Sequence, residues 1–199
     1  MIVLGIDPGV SETGWAVLES SEGTPVLAAS GLIRTSAGTP LAERLVTIHR
    51  AISALIEEHQ PDQVAIEEMF FIRTANTIRA TLQARGVILL AAGQKARPIH
   101  EYNPRTVKSA LTGSGSADKA QMQKVLQKAL NLEAMLKPDD VADAAAIALC
   151  HLRASRMSRM KVLERFGGAK LSPRCAASCS RKTASASFWR PPASATRSS

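Results

Sequence analysis

Short apolar runs separated by turn residues fill the first third of the chain and recur twice later. Residues 2–7, 15–19 and 26–34 are such runs, and the turns between them contain Pro-Gly or Ser and Gly residues, which predicts three strands. Connections this short imply that these strands pair antiparallel. Residues 64–67 and 98–102 predict a fourth and a fifth strand.

Longer segments between these runs repeat their apolar residues at helical spacing. This pattern predicts a first helix from Pro40 to about residue 60, with Thr39 as its N-cap, and a second helix over residues 75–92. It also predicts a short helix that contains Val107 and Lys108, a helix capped by Ser116, and a last helix from Asp139 to about Arg153. A helix joins strands three and four, so strand four should run parallel to strand one. The sequence therefore predicts an α/β protein with a five-stranded mixed sheet, three antiparallel strands followed by parallel ones, flanked by helices.

The apolar pattern ends near Phe166. Ser, Ala, Arg and Pro dominate residues 172–199, which is typical of a disordered segment. We therefore predict one domain over 1–165 and a disordered basic tail over 166–199. No apolar run approaches the roughly 18 residues of a membrane span, so we expect a soluble, cytoplasmic protein without a membrane partner.

The formal net charge of +8 is unevenly distributed. Residues 1–68 contain 3 basic and 10 acidic residues, whereas residues 69–132 contain 10 basic and 2 acidic ones. A basic segment beside an acidic one favours a surface that binds a polyanion next to a carboxylate cluster. Solvated surface charge is the alternative explanation of such blocks.

Two predicted strands end on a carboxylate. Asp7 ends strand one, Glu67 ends strand four, and parallel strands would bring both side chains to the same edge of the sheet. Glu68 remains an alternative to Glu67, because side chains alternate across a strand.

The Ala-rich helix adds further carboxylates in its first turns. Asp140 and Asp143 are three residues apart and share one helix face, although Asp139 and Asp143 could also do so. Acidic residues at a helix N-terminus also occur without any function, because they favour the helix dipole. Small Ala residues along this helix favour close packing on the sheet, which would bring the acidic turn toward Asp7.

Four carboxylates in one place need compensating charge. Two of them about 4 Å apart repel by several kcal/mol even at an effective dielectric near 20. Oxygen ligands without His or Cys favour Mg²⁺ or Mn²⁺, and two such ions support in-line phosphodiester displacement. A metal-dependent nuclease is the function that this pattern favours.

Four motifs occur in order between residue 2 and about residue 153: Gly5-Ile6-Asp7-Pro8-Gly9, Ala65-Ile66-Glu67, Gln83-Ala84-Arg85-Gly86 and Asp140-Val141-Ala142-Asp143-Ala144. In this order and spacing the chain resembles the RuvC family of Holliday-junction resolvases. The resemblance implies an RNase H-like fold and a homodimer that nicks two opposed strands of a four-way DNA junction. It also implies Mg²⁺, with Mn²⁺ able to substitute and two ions in each site, and RuvA and RuvB as partners.

The resemblance also assigns roles to individual residues. The family's metal-binding carboxylates match Asp7, Glu67, Asp140 and Asp143. Phe70 matches an aromatic residue that stacks on junction bases, and Lys108 and Lys119 match basic residues near the scissile backbone. Arg73 is a further candidate for a phosphate contact, without a firm family match. Core packing for Phe70 and solvated helix positions for the lysines are the alternatives.

Three other functions fit parts of the sequence. They are an RNase H-like nuclease that acts on RNA or duplex DNA, a non-catalytic junction-binding protein, and a kinase-like or chaperone-like ATPase. The last would need a second Gly-rich phosphate loop and about twice the length. We expect the helix after Phe71 to form the dimer contact.

Overall fold

The first apolar run forms the middle strand of a five-stranded mixed sheet. A computed structural model describes residues 1–21, 24–68 and 75–166, with side chains except at 75–78 and 158–166. The strands are β1 (Ile2–Asp7), β2 (Glu12–Ser21), β3 (Thr24–Arg34), β4 (Gln63–Glu67) and β5 (Ile99–Tyr102). Their order is β3-β2-β1-β4-β5; β1, β2 and β3 pair antiparallel, whereas β4 runs parallel to both β1 and β5. The predicted mixed topology is confirmed.

Helices cover both faces of this sheet. They are α1 (Leu41–His59), α2 (Ala75–Gln94), α3 (Pro104–Thr112), α4 (Lys119–Ala129) and α5 (Asp139–Phe166). None of the described helices is long and apolar enough to cross a membrane.

Two predicted helix starts were wrong. Helix α1 begins at Leu41, and Pro40 before it has an extended backbone (φ −52°, ψ 139°), so Thr39 is not its N-cap. Helix α4 is capped by Asp118 rather than Ser116. The Asp118 carboxylate accepts from the Gln121 amide while the Gln121 side chain accepts from the Asp118 amide, and this reciprocal pair satisfies two amides that a Ser116 cap would leave to water.

Helix α5 is longer than predicted. Instead of ending near Arg153 it continues to Phe166, because no Gly or Pro interrupts the chain until Gly167. The chain divides into two compact units, Met1–Met160 and Lys161–Ser199. The second unit contributes the last turns of α5 and otherwise lies outside the described residues, so the predicted disordered tail stays a prediction.

Alternation along β1 distributes its side chains between two cores. Leu4 and Ile6 pack with the inner faces of α1 and α2, whereas Val3 packs with α3, α4 and α5. Because Gly5 and Asp7 share the face of Val3, the Asp7 side chain is directed to the α5 side of the sheet.

Small residues allow α5 to lie very close to β1. A Cβ atom on Gly5 would lie 2.2 Å from the Ala144 carbonyl oxygen and 2.8 Å from Ala148 Cβ. These distances are too short for any side chain, so only glycine fits at this position of β1. The close packing that the alanines of α5 predicted is confirmed.

A buried polar network links α5 to β4 and β5. The His151 side chain is 2% exposed, its Nδ1 lies 2.7 Å from the Tyr102 hydroxyl, and its Nε2 contacts Gln63 Oε1. Since Gln63 Oε1 can only accept, His151 Nε2 donates to it and the Tyr102 hydroxyl donates to Nδ1. Burial, together with nearby His100, lowers the pKa of His151 to about 4, so the network holds a neutral imidazole.

The stability of the fold should therefore depend on pH through His151. The folded-state pKa lies below the ordinary 6.5, so the unfolded chain binds more protons between pH 6.5 and 4. The contribution of the neutral imidazole is fully present above pH 6.5 and is lost as the pH falls through 4. As the pH falls from 6.5 to 4, the free energy of unfolding should decrease in both proteins. We expect the decrease to be larger in the wild type than in the His151→Gln variant, by on the order of 3 kcal/mol. Denaturant melts at pH 7, 6, 5 and 4 measure this, and equal slopes for both proteins would contradict it.

Candidate active site

Asp7 and Glu67 are brought together by the parallel pairing of β1 and β4. The register aligns Gly5 with Ala65 and Ile6 with Ile66, so the next residue on each strand is a carboxylate at the same edge. The Glu67 carboxyl group is close enough to raise the pKa of Asp7. Glu68, the alternative, lies beyond the end of β4 and is exposed, and its amide donates to the Tyr102 carbonyl. The geometry thus selects Glu67 as the neighbour of Asp7.

The first turns of α5 deliver the other two carboxylates. Gly14, which opposes Asp7 in the β1–β2 register, lies directly under this turn, and a Cβ atom there would lie 2.0 Å from the Asp140 carbonyl oxygen. Asp140 and Asp143 are both close enough to raise the pKa of Asp7. Asp139 accepts a hydrogen bond from Lys119 Nζ at 2.7 Å and also helps to raise the pKa of Asp143. The structure therefore brings Asp7, Glu67, Asp140 and Asp143 together, with Asp139 next to them and paired with Lys119.

Burial and mutual repulsion disfavour charge in this cluster. Burial first, and then Glu67, Asp143 and Asp140, raise the pKa of Asp7 to about 9. Burial also raises the pKa of Asp143 to about 6, although nearby Lys119 opposes the shift. At neutral pH such a cluster needs either a proton or a bound cation to compensate its charge.

The donor set fits a hard divalent cation. The cluster offers carboxylate oxygens, which are the ligands that Mg²⁺ and Mn²⁺ prefer. No three His, Cys, Asp or Glu side chains in the described part of the chain already stand at metal-binding spacing. The four acids are therefore near enough to interact electrostatically without forming a finished coordination sphere.

The other predicted residues differ in how the structure places them. Lys119 lies beside the cluster and pairs with Asp139. The hydrogen bond with Asp139 is the main cause that raises the pKa of Lys119, and the charges of Asp143 and Asp140 also raise it. Lys108 is half-buried on α3, and the structure shows no interaction between it and the four acids. Phe70 and Arg73 lie outside the described residues.

Arg85 has a role that sequence reasoning missed. This arginine of α2 is 14% exposed, its Nη2 lies 2.6 Å from Glu101 Oε2, and its Nε donates to the Glu67 carbonyl at 3.4 Å. It therefore ties the end of β4, which bears Glu67, to α2 and β5. The feature of the sequence that could have indicated this role is the position of an arginine among the small and apolar residues of a packed helix.

Fold and site together define an α/β protein of the RNase H-like class. Its central strands β1 and β4 and its helix α5 converge on an acidic site at one sheet edge. This class agrees with the fold that the sequence motifs implied.

Comparison with known proteins narrows the class to one family. The family model "Crossover junction endodeoxyribonuclease RuvC" matches residues 3–151. The crossover junction endodeoxyribonuclease RuvC of Chloroflexus aggregans is 45% identical over 167 residues, covering 84% of this chain and 99% of the relative. That of Endomicrobium trichonymphae is 47% identical over 153 residues, covering 76% and 80%. A structure of Thermus thermophilus RuvC in complex with a Holliday junction substrate is similar at TM-score 0.76 and 34% identity, covering 79% of this chain and 96% of that one.

The chain belongs to the RuvC family of crossover junction endodeoxyribonucleases. This confirms the resemblance drawn from the four motifs and the RNase H-like fold that it implied. It also confirms the expected class of enzyme, an endonuclease for crossover junctions in DNA recombination and repair.

The contact between Gly14 and α5 can be tested directly. In Gly14→Ala the new methyl group would push the first turn of α5 away from β2, displacing Asp140. We expect the free energy of unfolding to fall by about 2–3 kcal/mol and junction cleavage to fall about a hundredfold, because small displacements of reacting groups are costly.

Gly93→Ala is the matched control for stability, since a Cβ atom there would meet nothing within 4 Å. Its stability should stay the same or rise by up to about 1 kcal/mol. Denaturant melts and junction-cleavage rates measure both effects. Full cleavage by folded Gly14→Ala would show that the contact does not position Asp140.

Proposed function

We propose that this protein resolves four-way DNA junctions by hydrolysing phosphodiester bonds, with Asp7, Glu67, Asp140 and Asp143 as its metal-binding and catalytic residues. The cluster would hold two divalent ions, Mg²⁺ with Mn²⁺ able to substitute. The observation that supports this most strongly is that three elements distant in sequence converge on four interacting carboxylates, one of which has a pKa raised to about 9. Bringing four carboxylates so close together is unfavourable unless protons or cations compensate their charge.

The four carboxylates would bind the ions from two parts of the fold, the central strands and helix α5. When bound, a pair of divalent ions stabilises both the attacking and the leaving oxygen of the phosphodiester. Asp7 and Glu67, held on adjacent strands, provide the rigid half of the binding site. Asp140 and Asp143 complete it from α5, whose position is set by contact with Gly5 and Gly14.

Basic and aromatic residues around the cluster would bind DNA. Lys119 stands beside the acids and would neutralise charge on the scissile phosphate. Lys108 and Arg73 would contact the phosphate backbone, and Phe70 would stack on bases at the junction centre. These assignments rest on the family motifs and on the basic character of residues 69–132.

A homodimer would match the symmetry of the junction. A four-way junction has approximate two-fold symmetry, and a C2 dimer places one carboxylate cluster on each equivalent strand. Leu82, Gly86 and Leu90 lie four residues apart on α2 and are exposed, with Leu82 at 37% and Leu90 at 54%. This apolar stripe supports α2 as the dimer contact. By family membership, RuvA and RuvB would be partners in the cytoplasm.

Replacing the carboxylates should abolish cleavage without abolishing binding. We expect Asp7→Asn and Glu67→Gln to lower the cleavage rate of a synthetic four-way junction at least about a hundredfold, because ligands for the ions are lost. Removing divalent ions with a chelator should stop the wild-type reaction, and Mn²⁺ should restore it. Glu58→Gln, an exposed carboxylate on α1, is the matched control and should cleave normally.

The substrate is tested in the same assay. Junction, simple duplex and DNA–RNA hybrid are compared at equal concentration, and paired symmetric nicks in the junction are expected. Faster cleavage of duplex or hybrid would favour a different RNase H-like nuclease. Metal binding and junction binding without any cleavage would favour a non-catalytic junction-binding protein.

A charge on the α2 stripe should separate the dimer. Leu90→Asp would place a carboxylate in a desolvated contact, so we expect monomers in sedimentation experiments and single rather than paired nicks in junctions. Val26→Asp on the edge strand β3 is the matched control, because Val26 is 56% exposed and lies away from α2. A dimeric Leu90→Asp protein would exclude α2 as the contact.

A further inference from the structure

Arg44 lies at the same edge of the sheet as the carboxylate cluster. Strands β1, β3 and β4 all end at this edge. Strand β2 is antiparallel to both β1 and β3, so β1 and β3 run in the same direction, and β4 is parallel to β1. Six residues separate the end of β3 from the start of α1, and Arg44 lies in the first turn of α1. The guanidinium contacts the two segments that leave β1 and β3, at Ser11 and Thr35.

The partners of Arg44 are neutral. Its Nε donates to Thr35 Oγ1 at 2.8 Å and its Nη2 donates to Ser11 Oγ at 2.9 Å. No ion pair between Arg44 and a described carboxylate is present, whereas neighbouring Arg34 pairs with Glu12 at 3.2 Å. Residues 1–68 contain only three basic residues, and Arg44 contributes an uncompensated positive charge to this acidic part of the chain.

Hydrogen-bond donors remain free at this position. A guanidinium has five N–H donors, of which two are used in the described contacts. Ser11 is exposed, and its hydroxyl accepts from Arg44 while keeping its own O–H to donate. Thr35 cannot add a donor, because its hydroxyl already donates to the Val10 carbonyl at 2.5 Å. Arg44 and Ser11 together therefore present several donors and one positive charge, which is what a phosphate oxygen requires.

We propose that Arg44 and the Ser11 hydroxyl bind a backbone phosphate of the junction DNA at the rim of the active site, outside the four-carboxylate cluster. The site rests on the proposed nuclease function, since DNA must cross this edge to reach Asp7. Within an acidic surface, one fixed cation next to the β1–β2 turn reduces repulsion of the phosphates that flank the cleaved bond. The contact would be independent of base sequence.

The dependence of binding on salt distinguishes this role from a purely structural one. Each neutralised phosphate of duplex DNA contributes about 0.9 to the slope of log K against log salt concentration. Binding of a fluorescent four-way junction is measured without divalent ions at several KCl concentrations, on two junctions of different sequence. For Arg44→Gln we expect the slope to shrink by about 0.9 and binding at low salt to weaken about tenfold on both junctions.

Two further variants separate the effect of the positive charge of Arg44 from the effect of its hydrogen bonds to Ser11 and Thr35. Arg44→Lys keeps the charge but loses the geometry of the bonds to Ser11 and Thr35, so it should keep the wild-type slope. Arg34→Gln removes a positive charge from the same edge that Glu12 already compensates, so it should leave the slope within about 0.3 of the wild type. Thermal melting of every variant measures how far each substitution disturbs the fold.

The outcomes separate this proposal from the function on which it rests. An unchanged slope for Arg44→Gln, or equal losses in Arg44→Gln and Arg44→Lys, would overturn the phosphate site and leave a structural support for the β1–β2 turn. An Arg34→Gln variant with the same loss would also overturn it. A wild-type protein that neither binds nor cleaves junctions would instead refute the proposed function, whatever the Arg44 variants do.

Discussion

The repulsion among crowded, partly exposed carboxylates is the constraint on which the structure depends. Burial and the neighbouring carboxylates raise the pKa values of Asp7 and Asp143, and the fold must supply the energy that holds the four acids close. That energy comes from the packing of α5 on the sheet. Glycine at positions 5 and 14 lets the helix backbone approach β1 and β2 to a distance that no side chain would permit. The close packing of α5 on β1 and β2 thus offsets the repulsion among the carboxylates.

Several polar contacts then fix the elements that bear the acids. Arg85 ties the end of β4 to α2 and β5, and the His151–Tyr102 network ties α5 to the same strands from the other face. Each of these groups is largely buried, so an unpaired partner would be expensive. The strands and the helix therefore keep their relative positions even though the charges at their ends repel one another.

Lys119 lies beside the acidic cluster and Arg44 lies at the same sheet edge, and neither neutralises the cluster fully. Lys119 pairs with Asp139, which lies next to the cluster, and Arg44 is bonded to two hydroxyls. This arrangement leaves the four clustered carboxylates available to cations and leaves positive charge at the periphery for phosphates. A surface of this kind can attract a polyanion while its centre binds divalent ions.

Hydrophobic periodicity and short connections determined the antiparallel and parallel pairing of the strands and the convergence of Asp7 and Glu67. These features follow from alternation and from the direction of crossovers. That Glu67 rather than Glu68 lies beside Asp7, and that Asp139 pairs with Lys119, did not follow from the local pattern. Neighbouring carboxylates are equivalent in sequence until their partners in the fold are in place. The Asp118 cap, the full length of α5, the clamp by Arg85 and the unpaired charge of Arg44 likewise became visible only in the folded chain. Each depends on contacts between residues far apart in sequence, and no local propensity contains that information.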